Sequence, residues 1–285
     1  PIFSGGAGFV MFKTMLHPSL RDLAEQAALS TSTATARGVL VEAQQLLRNA
    51  LEHRTPETAL TVWFSDLVLA TLSCPAVVEK LPSPVTPTGP FARGDALPST
   101  AVTWFAAPGS DTAGLIELLT SAGLTVGEPP ADGAGLLAAR VDARLTVPEA
   151  PSEELLQLAV SHRPPALQAL AGLPDPDVPA DVASSLLRPI ADVARWAAPA
   201  ERSTLERLAA GHNRGLLTED EVEALSQAWE TAVALQFRRW ADRVDSRPPA
   251  LGDLPALHRS AYGAAARQVA GVLRALAGRH GITLN

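Results

Sequence analysis

Residues Thr88 to Phe105, TGPFARGDALPSTAVTWF, contain the change of pattern on which the fold prediction depends. A glycine turn, an arginine and an acid are followed by a Pro-Ser-Thr break and then by the apolar run Ala101 to Ala107. Apolar runs bounded by proline and glycine are typical of strands joined by loops. The stretch therefore predicts a loop between two strands, with a binding site at the mouth of the loop.

Both flanks of this stretch have apolar residues at helical spacing. N-terminal helices are predicted at about 18–28, 33–51 and 56–73. C-terminal helices are predicted at about 181–198, 200–212, 218–245 and 253–279, with a break at Arg247 to Pro249 between the last two. Thr218 and Glu221 have the spacing of a capping box and indicate the start of a helix.

The central region, Val85 to Val147, is predicted to form strands around one helix. Leu136 to Val147 is the second strand candidate, and Asp111 is predicted to cap the helix. The predicted core residues of that helix are Ile116, Leu118, Leu119 and Leu124. Leu155 to Val160 fits either a helix that begins near Ser152 or a strand.

These patterns predict a helix-dominated α+β fold. It comprises N-terminal helices, a small mixed sheet with helices, and a C-terminal four-helix bundle. The predicted domains are an N-terminal helical segment at 1–74, an α/β domain at 75–165 and the bundle at 166–285.

The composition limits the classes of function. A net charge of −7 provides no basic surface for nucleic acid or anionic lipid, so neither partner is expected. Cys74 is the only cysteine, which excludes internal disulfides and cysteine zinc sites. The longest apolar run, Leu60 to Val78, is interrupted by Asp66 and Pro75, and residues 1–16 lack the apolar centre of a signal peptide. A soluble cytoplasmic protein is expected.

The loop resembles a nucleotidyltransferase signature, Gly-Ser-x-Gly-Arg-x-Glu-x-x-Pro-x-Ser-Asp-x-Asp followed by an apolar strand. That signature belongs to a bacterial nucleotidyltransferase family related to the protein-PII uridylyltransferases. The matching positions in this chain are Gly89, Arg93, Pro98 and, with aspartate in place of glutamate, Asp95. The resemblance implies a nucleotidyltransferase-like central domain with a nucleotide at this loop.

The two late aspartates of the signature are replaced by Ala101 and Thr103. Strand alternation places these two positions on one face, where the family's carboxylates would hold the divalent metal that nucleotidyl transfer needs. Neither replacement supplies a carboxylate to hold magnesium. Pro90 also replaces the signature's serine and removes a backbone N–H from the turn.

The resemblance continues in the C-terminal half. Leu187 to Arg195, Ser203 to Leu208 and Gly215 to Leu225 resemble the helical substrate-binding domain that follows in the same family. Ser161 to Pro164 stands where that family has Asp-x-Arg-Pro, so the resemblance implies the loss of a third acid.

One helix face carries three charges at i, i+4 and i+7, namely Arg188, Asp192 and Arg195. They are expected either to form a pocket wall toward the central domain or to form a surface ion-pair ladder. For Arg93 and Asp95 the alternatives are contact with a nucleotide phosphate and a solvated loop pair. Trp104 is expected in the core like the other tryptophans, with stacking on a base as the alternative.

Three functions stay open from the sequence. The first is a catalytically degenerate nucleotidyltransferase-like module for regulation or nucleotide binding. The second is an active enzyme, with magnesium, that uses other acids such as Asp95, Asp111 or Asp142. The third is a structural partner for another protein through the N-terminal helices. The expected ligand-binding residues are Gly89, Arg93, Asp95, Ser99 and Thr100 in the loop and Arg188, Asp192 and Arg195 on the helix.

Overall fold

A computed structural model describes residues 16–81, 84–170, 173–243 and 250–284. Helices dominate these ranges, and the strands form two short antiparallel pairs. The predicted class, helix-dominated α+β, is confirmed. The glycine-rich residues 1–15 and the predicted break at Arg247 to Pro249 lie outside the described residues.

The chain divides into two compact units, one up to Pro129 and the other from Pro130. The elements of the first unit are α1 (Pro18–Ala28), α2 (Thr33–Glu52), α3 (Glu57–Leu72), α4 (Pro75–Val78), β1 (Thr86–Thr88), α5 (Gly89–Arg93), β2 (Thr103–Phe105) and α6 (Ala113–Ser121). The sequence's division into three domains stays a prediction.

The second unit contains the remaining helices and one strand pair. Its elements are α7 (Gly133–Asp142), α8 (Glu153–Ser161), β3 (Ala169–Leu170), β4 (Leu173–Pro174), a π-helical turn (Ala183–Leu187), α9 (Arg188–Ala197), α10 (Thr204–Asn213), α11 (Glu219–Ala241), a 3-10 turn (Leu251–Asp253) and α12 (Ala256–Arg279).

Helix α3 is the centre of the first unit, because it packs against α1, α2, α4 and α5. Its buried residues lie all around the helix rather than on one stripe, which is the pattern of a helix enclosed by its neighbours. The indole N–H of Trp63 on α3 donates to the carbonyl of Leu20 on α1 at 2.8 Å. The three predicted N-terminal helices are confirmed.

The first strand pair is shorter than the sequence predicted. β1 pairs antiparallel with β2, in a register that places Thr86 opposite Phe105 and Thr88 opposite Thr103. The ladder ends at Thr88 because the chain turns into α5 at Gly89. A single parallel bridge joins Val102 to Val126.

The predicted strand at Leu136 to Val147 is wrong, because its first half belongs to helix α7. This segment is rich in alanine and leucine, which favour helix, and contains few β-branched residues. The open choice at Leu155 to Val160 is settled as helix α8, and the Ser152 hydroxyl caps it by accepting from the Leu155 N–H at 3.4 Å.

The core face of α6 differs from the prediction at one residue. Ile116 is 40% exposed, whereas Leu115 is buried. Residues 115, 118 and 119 share one helical stripe, and position 116 points away from it by about 100°. Leu118, Leu119 and Leu124 are buried as predicted.

The C-terminal helices lie where the sequence placed them, with shorter bounds. The predicted helix at 181–198 begins with the π-helical turn before α9. The capping box at Thr218 and Glu221 is confirmed at the start of α11. Arg279 on α12 donates to both carboxylate oxygens of Glu221, so this cap also joins α11 to α12. Within the described ranges no helix is long and apolar enough to cross a membrane.

We expect Thr218→Ala to lower the free energy of unfolding by about 1 kcal/mol, since the α11 N-terminus loses its side-chain acceptor. Chemical denaturation followed by circular dichroism measures the change. Thr231→Ala, in the interior of the same helix, is the matched control and is expected to change stability by less than about 0.5 kcal/mol. Equal effects of the two substitutions would contradict the capping role.

Candidate functional site

The loop that resembles the nucleotidyltransferase signature is anchored on α3. Gly89 and Gly94, at the two ends of α5, have φ values of 66° and 82°, a region that favours glycine. Between them, the ring of Phe91 packs against Phe64 with a centroid distance of 5.9 Å. The N–H of Ala96 donates to the Ser65 hydroxyl at 3.0 Å. These contacts fix the path of the loop.

Arg93 and Asp95 pair with each other inside the protein. Arg93 Nε donates to Asp95 Oδ2 at 3.0 Å, and each residue is only 5% exposed. A solvated loop pair, the alternative from the sequence, is therefore wrong. A buried ion pair of this kind fixes the loop, because separating the two charges would leave each without its partner in a poorly solvated place.

The remaining loop candidates are Ser99 and Thr100, which are both half-buried. The Thr100 hydroxyl accepts from the Leu97 N–H at 3.1 Å, and the Thr100 N–H donates to the Leu97 carbonyl at 2.9 Å. The Thr100 side chain thus closes a turn. Trp104 is buried like the other tryptophans, so its predicted core role is confirmed.

Ala101 and Thr103 share one face, as strand alternation predicts. A Cβ placed on Gly127 would lie 3.2 Å from Ala101 Cβ and 3.2 Å from Thr103 Cγ2, so both side chains lie over the same glycine. The Thr103 hydroxyl donates to the Thr88 carbonyl at 3.4 Å. The two positions of the signature's metal ligands therefore carry a methyl group and a hydroxyl that is already hydrogen-bonded. Among the described residues no cluster of three potential ligands could hold a metal ion.

The other candidate acids are also engaged. Asp111 Oδ1 accepts from the Ala113 N–H at 2.9 Å at the start of α6, although Thr112 is the capping residue by backbone geometry. Asp142, at the end of α7, is buried and contacts two arginines.

The predicted charged face of α9 divides into an exposed and a buried part. Arg188 is exposed, and its charge acts on Asp181. Burial alone would raise the pKa of Asp181, but hydrogen bonds from Ser184 and Ala183 and the charge of Arg188 hold it below its usual value. Asp192 and Arg195 are each 5% exposed and face inward. A surface ladder is wrong for these two residues.

Arg195 and Arg207 share the carboxylate of Asp142. Arg195 donates through Nε to Oδ1 at 3.0 Å and through Nη2 to Oδ2 at 2.8 Å, a two-pronged contact. Arg207 on α10 donates through Nη1 to Oδ1 at 2.7 Å and through Nε to the Glu201 carbonyl at 3.0 Å. One carboxylate thus joins α7, α9 and α10.

Asp192 extends this network to the surface. One of its oxygens accepts from Arg195 Nη1, and the other accepts from His162 Nδ1 at 2.7 Å. Burial alone would raise the pKa of Asp192, but the charge of Arg195 and the hydrogen bonds from His162 and Arg195 hold it below its usual value. Because an ionised carboxylate only accepts, Nδ1 of His162 carries the proton in this contact.

The pKa of Arg195 shifts in the complementary direction. Burial alone would lower it, but the charges of Asp142 and Asp192 raise it above the usual value of a guanidinium. We call Asp142, His162, Asp192, Arg195 and Arg207 the charge network; the pKa shifts of Asp192 and Arg195 both favour the ionised form.

The sequence did not identify the partners within this network. His162 and Arg207 lie in segments that resemble the nucleotidyltransferase family, Ser161 to Pro164 and Ser203 to Leu208, but the resemblance does not predict either as a site residue. Asp142 was considered only as an alternative catalytic acid. Spacing along α9 indicates that Asp192 and Arg195 share a face, whereas Asp142 on α7, Arg207 on α10 and His162 just after α8 complete the network.

A groove of about 270 Å³ lies in the second unit. One wall is residues 147–151, between α7 and α8, and the other begins at Trp196, the residue after Arg195. Arg214 and Leu216, from the segment between α10 and α11, also line it. The second wall begins directly after Arg195, and the first begins five residues after Asp142, so the ion pair of these residues joins the chain segments that lead to the two walls.

Residues 155–280 match the family model described as "Putative nucleotidyltransferase substrate binding domain". By this match, the C-terminal region is similar to nucleotidyltransferase-related substrate-binding domains. The match covers less than half of the chain and contains four members of the charge network, while Asp142 and the groove wall at 147–151 precede it. No curated protein matches the chain, and no solved structure does.

We expect Asp142→Asn to lower the free energy of unfolding by about 3–5 kcal/mol, since two buried guanidiniums lose their shared carboxylate. Denaturant unfolding measures this loss. Asp132→Asn, an exposed residue at the other end of α7 whose side chain does not cap the helix, is the control and is expected to stay within about 0.5 kcal/mol. A loss below about 1 kcal/mol at Asp142 would show that the network does not depend on its charge.

The lowered pKa of Asp192 predicts that the free energy of unfolding decreases in acid. Its pKa is 3.8 when unperturbed and lower in the folded protein. The unfolded state therefore binds the proton first, and the stabilisation is present above the unfolded value and is lost as the pH falls through the folded pKa. Unfolding free energies measured from pH 6 down to about pH 2.5 should fall less steeply in Asp192→Asn than in the wild type, with Asp132→Asn as the control. Parallel curves for Asp192→Asn and the wild type would contradict this role.

Proposed function

We propose that this protein is a catalytically degenerate relative of the nucleotidyltransferases, related to the protein-PII uridylyltransferases, that acts in the cytoplasm as a regulatory, nucleotide-binding module. The observation that carries the proposal is the packing of Ala101 and Thr103 on Gly127. Two carboxylates at these positions would be needed to hold the metal that bridges a triphosphate and the attacking oxygen. A methyl group and a bonded hydroxyl leave the loop without that metal chemistry.

The state of the other acids supports this proposal over an active enzyme. Asp95 is paired with Arg93, and Asp142 is shared by two arginines. Using either acid as a metal ligand would first require breaking a buried ion pair, which costs several kcal/mol. Asp111 is exposed, but it lies at the start of a helix outside the loop and accepts a backbone N–H.

The ligand site that we propose is the groove in the second unit. The two groove walls come from the ranges 75–165 and 166–285, which the sequence predicts to be separate domains. The ion pairs of Asp142 support this assignment, because a site held by locked side chains keeps its shape without the ligand.

A second candidate function is a docking partner for another protein through the N-terminal helices. Leu29, after α1, is 73% exposed, and Val78, at the end of α4, is 55% exposed. The Ala76 N–H donates to the Ser30 carbonyl at 3.0 Å, which brings the two chain segments together. Exposed large apolar side chains on two such adjoining segments favour an interaction surface.

A thermal-shift screen of nucleotides with magnesium and with EDTA tests the first proposal. A nucleotide that binds the native state stabilises it by about 2.7 kcal/mol at 100 times its Kd. We expect at least one nucleotide to raise the Tm equally in both conditions, and we expect no release of pyrophosphate from triphosphates. The absence of metal ligands at positions 101 and 103 is the reason for both expectations.

Active transfer would give a different result. Binding that requires magnesium, together with pyrophosphate release that disappears in Asp95→Asn or Asp111→Asn, would establish the enzyme and overturn the degenerate reading. Asp95→Asn keeps the shape of a side chain that is buried against Arg93, so its Tm without nucleotide must be compared with that of the wild type. A screen in which no nucleotide raises the Tm would favour the docking partner.

A further inference from the structure

We propose that the groove in the second unit binds a nucleoside monophosphate, with Arg214 holding the phosphate and Glu149 facing the ribose. This inference rests on the proposed function, because that function supplies the nucleotide class, while the groove's charges and dimensions select the monophosphate.

The walls of the groove suit a flat apolar ring. Pro148 and Pro151 line one side, and Pro199 and Trp196 line the other. Pro148 is half-buried and Pro151 is exposed, whereas Pro199 and Trp196 are buried, and the Trp196 ring stands edge-on to His280 at 5.3 Å and 83°. The proline rings at 148 and 151 offer rigid surfaces that lose little conformational entropy on binding, and the face of a base can pack on them.

Arg214 provides the anion contact. It follows the last residue of α10, it is exposed, and its Nη1 donates to the Ala197 carbonyl at 3.3 Å. That bond holds the guanidinium at the groove, and a guanidinium has five N–H donors. Among the described residues no carboxylate pairs with Arg214, so its charge is available for a phosphate, which guanidinium binds with two parallel hydrogen bonds.

Glu149 limits the charge of the ligand. It lies on the wall at 147–151, so the groove carries one positive and one negative side chain and no net charge. Triphosphate sites surround the phosphates with several cations and a metal ion, and a carboxylate in the groove would repel the additional phosphates. A ribose hydroxyl, by contrast, can donate to the carboxylate of Glu149.

The size of the groove also favours a nucleoside monophosphate. Its volume of about 270 Å³ lies just below the range of about 300–1,000 Å³ for small-molecule sites. One base with its sugar and one phosphate fits such a volume better than a triphosphate or a dinucleotide does.

Calorimetry on the full chain, in EDTA, tests the assignment with AMP, GMP, CMP and UMP, their nucleosides, and ATP. For the best base, the monophosphate is expected to bind at least about tenfold more tightly than the nucleoside, because a charge-assisted contact is worth about 1.5–3 kcal/mol and tenfold is about 1.4 kcal/mol. In Arg214→Gln this preference for the phosphate should disappear, while nucleoside affinity stays unchanged. Glu149→Gln should reduce the preference for a ribonucleotide over its dideoxy form.

Arg274→Gln, an exposed arginine on α12, is the matched control and should keep the wild-type preferences. Tighter binding of ATP than of the monophosphate, or a phosphate preference that survives Arg214→Gln, would overturn the groove assignment and leave the proposed nucleotide-binding function standing. If no nucleoside or nucleotide binds the wild-type chain at all, the proposed nucleotide-binding function fails together with this inference.

Discussion

The carboxylate of Asp142 lies between two buried guanidiniums, and the arrangement of the second unit depends on this contact. Removing two arginines from water is costly, and a single acid could not offset two positive charges. Asp192 supplies the second negative charge by pairing with Arg195. The two arginines can pair with the two carboxylates only when α7, α9 and α10 pack together in one specific geometry. A buried ion-pair network is weak evidence that a protein is stable. We take it instead as a sign that the helices adopt one specific arrangement.

The two units treat their charged residues differently. In the first, Arg93 and Asp95 are paired inside a loop that aromatic packing and a serine hydroxyl fix on α3. In the second, the charge network is also closed, but the segments that leave it form a groove with Arg214 at its edge. The resemblance to nucleotidyltransferases implies a nucleotide site at the loop of the first unit. We propose that the ligand site lies at the second, where Arg214 is exposed.

Several features of the candidate site could be predicted from the sequence because they depend on local geometry. Alternation along a strand placed Ala101 and Thr103 on one face, and both side chains do lie over Gly127. Helical spacing grouped Asp192 with Arg195. The same spacing also grouped Arg188 with these residues, but Arg188 is exposed. Helical spacing shows which residues share a face of the helix, but it does not show which turns of that face another element covers. The strand predicted at Leu136 to Val147 failed because its alanines and leucines favour the helix that α7 adopts.

By itself, the sequence determined the helix-dominated class, the positions of most helices, the capping box at Thr218 and the absence of carboxylates at positions 101 and 103. Each of these follows from residues a few positions apart, where backbone geometry fixes the relation. Only the tertiary structure decided that Asp142, His162 and Arg207 join Asp192 and Arg195, and that a groove lies beside them. These residues are separated by up to 65 positions, and no periodic pattern encodes which buried charges meet across such a distance.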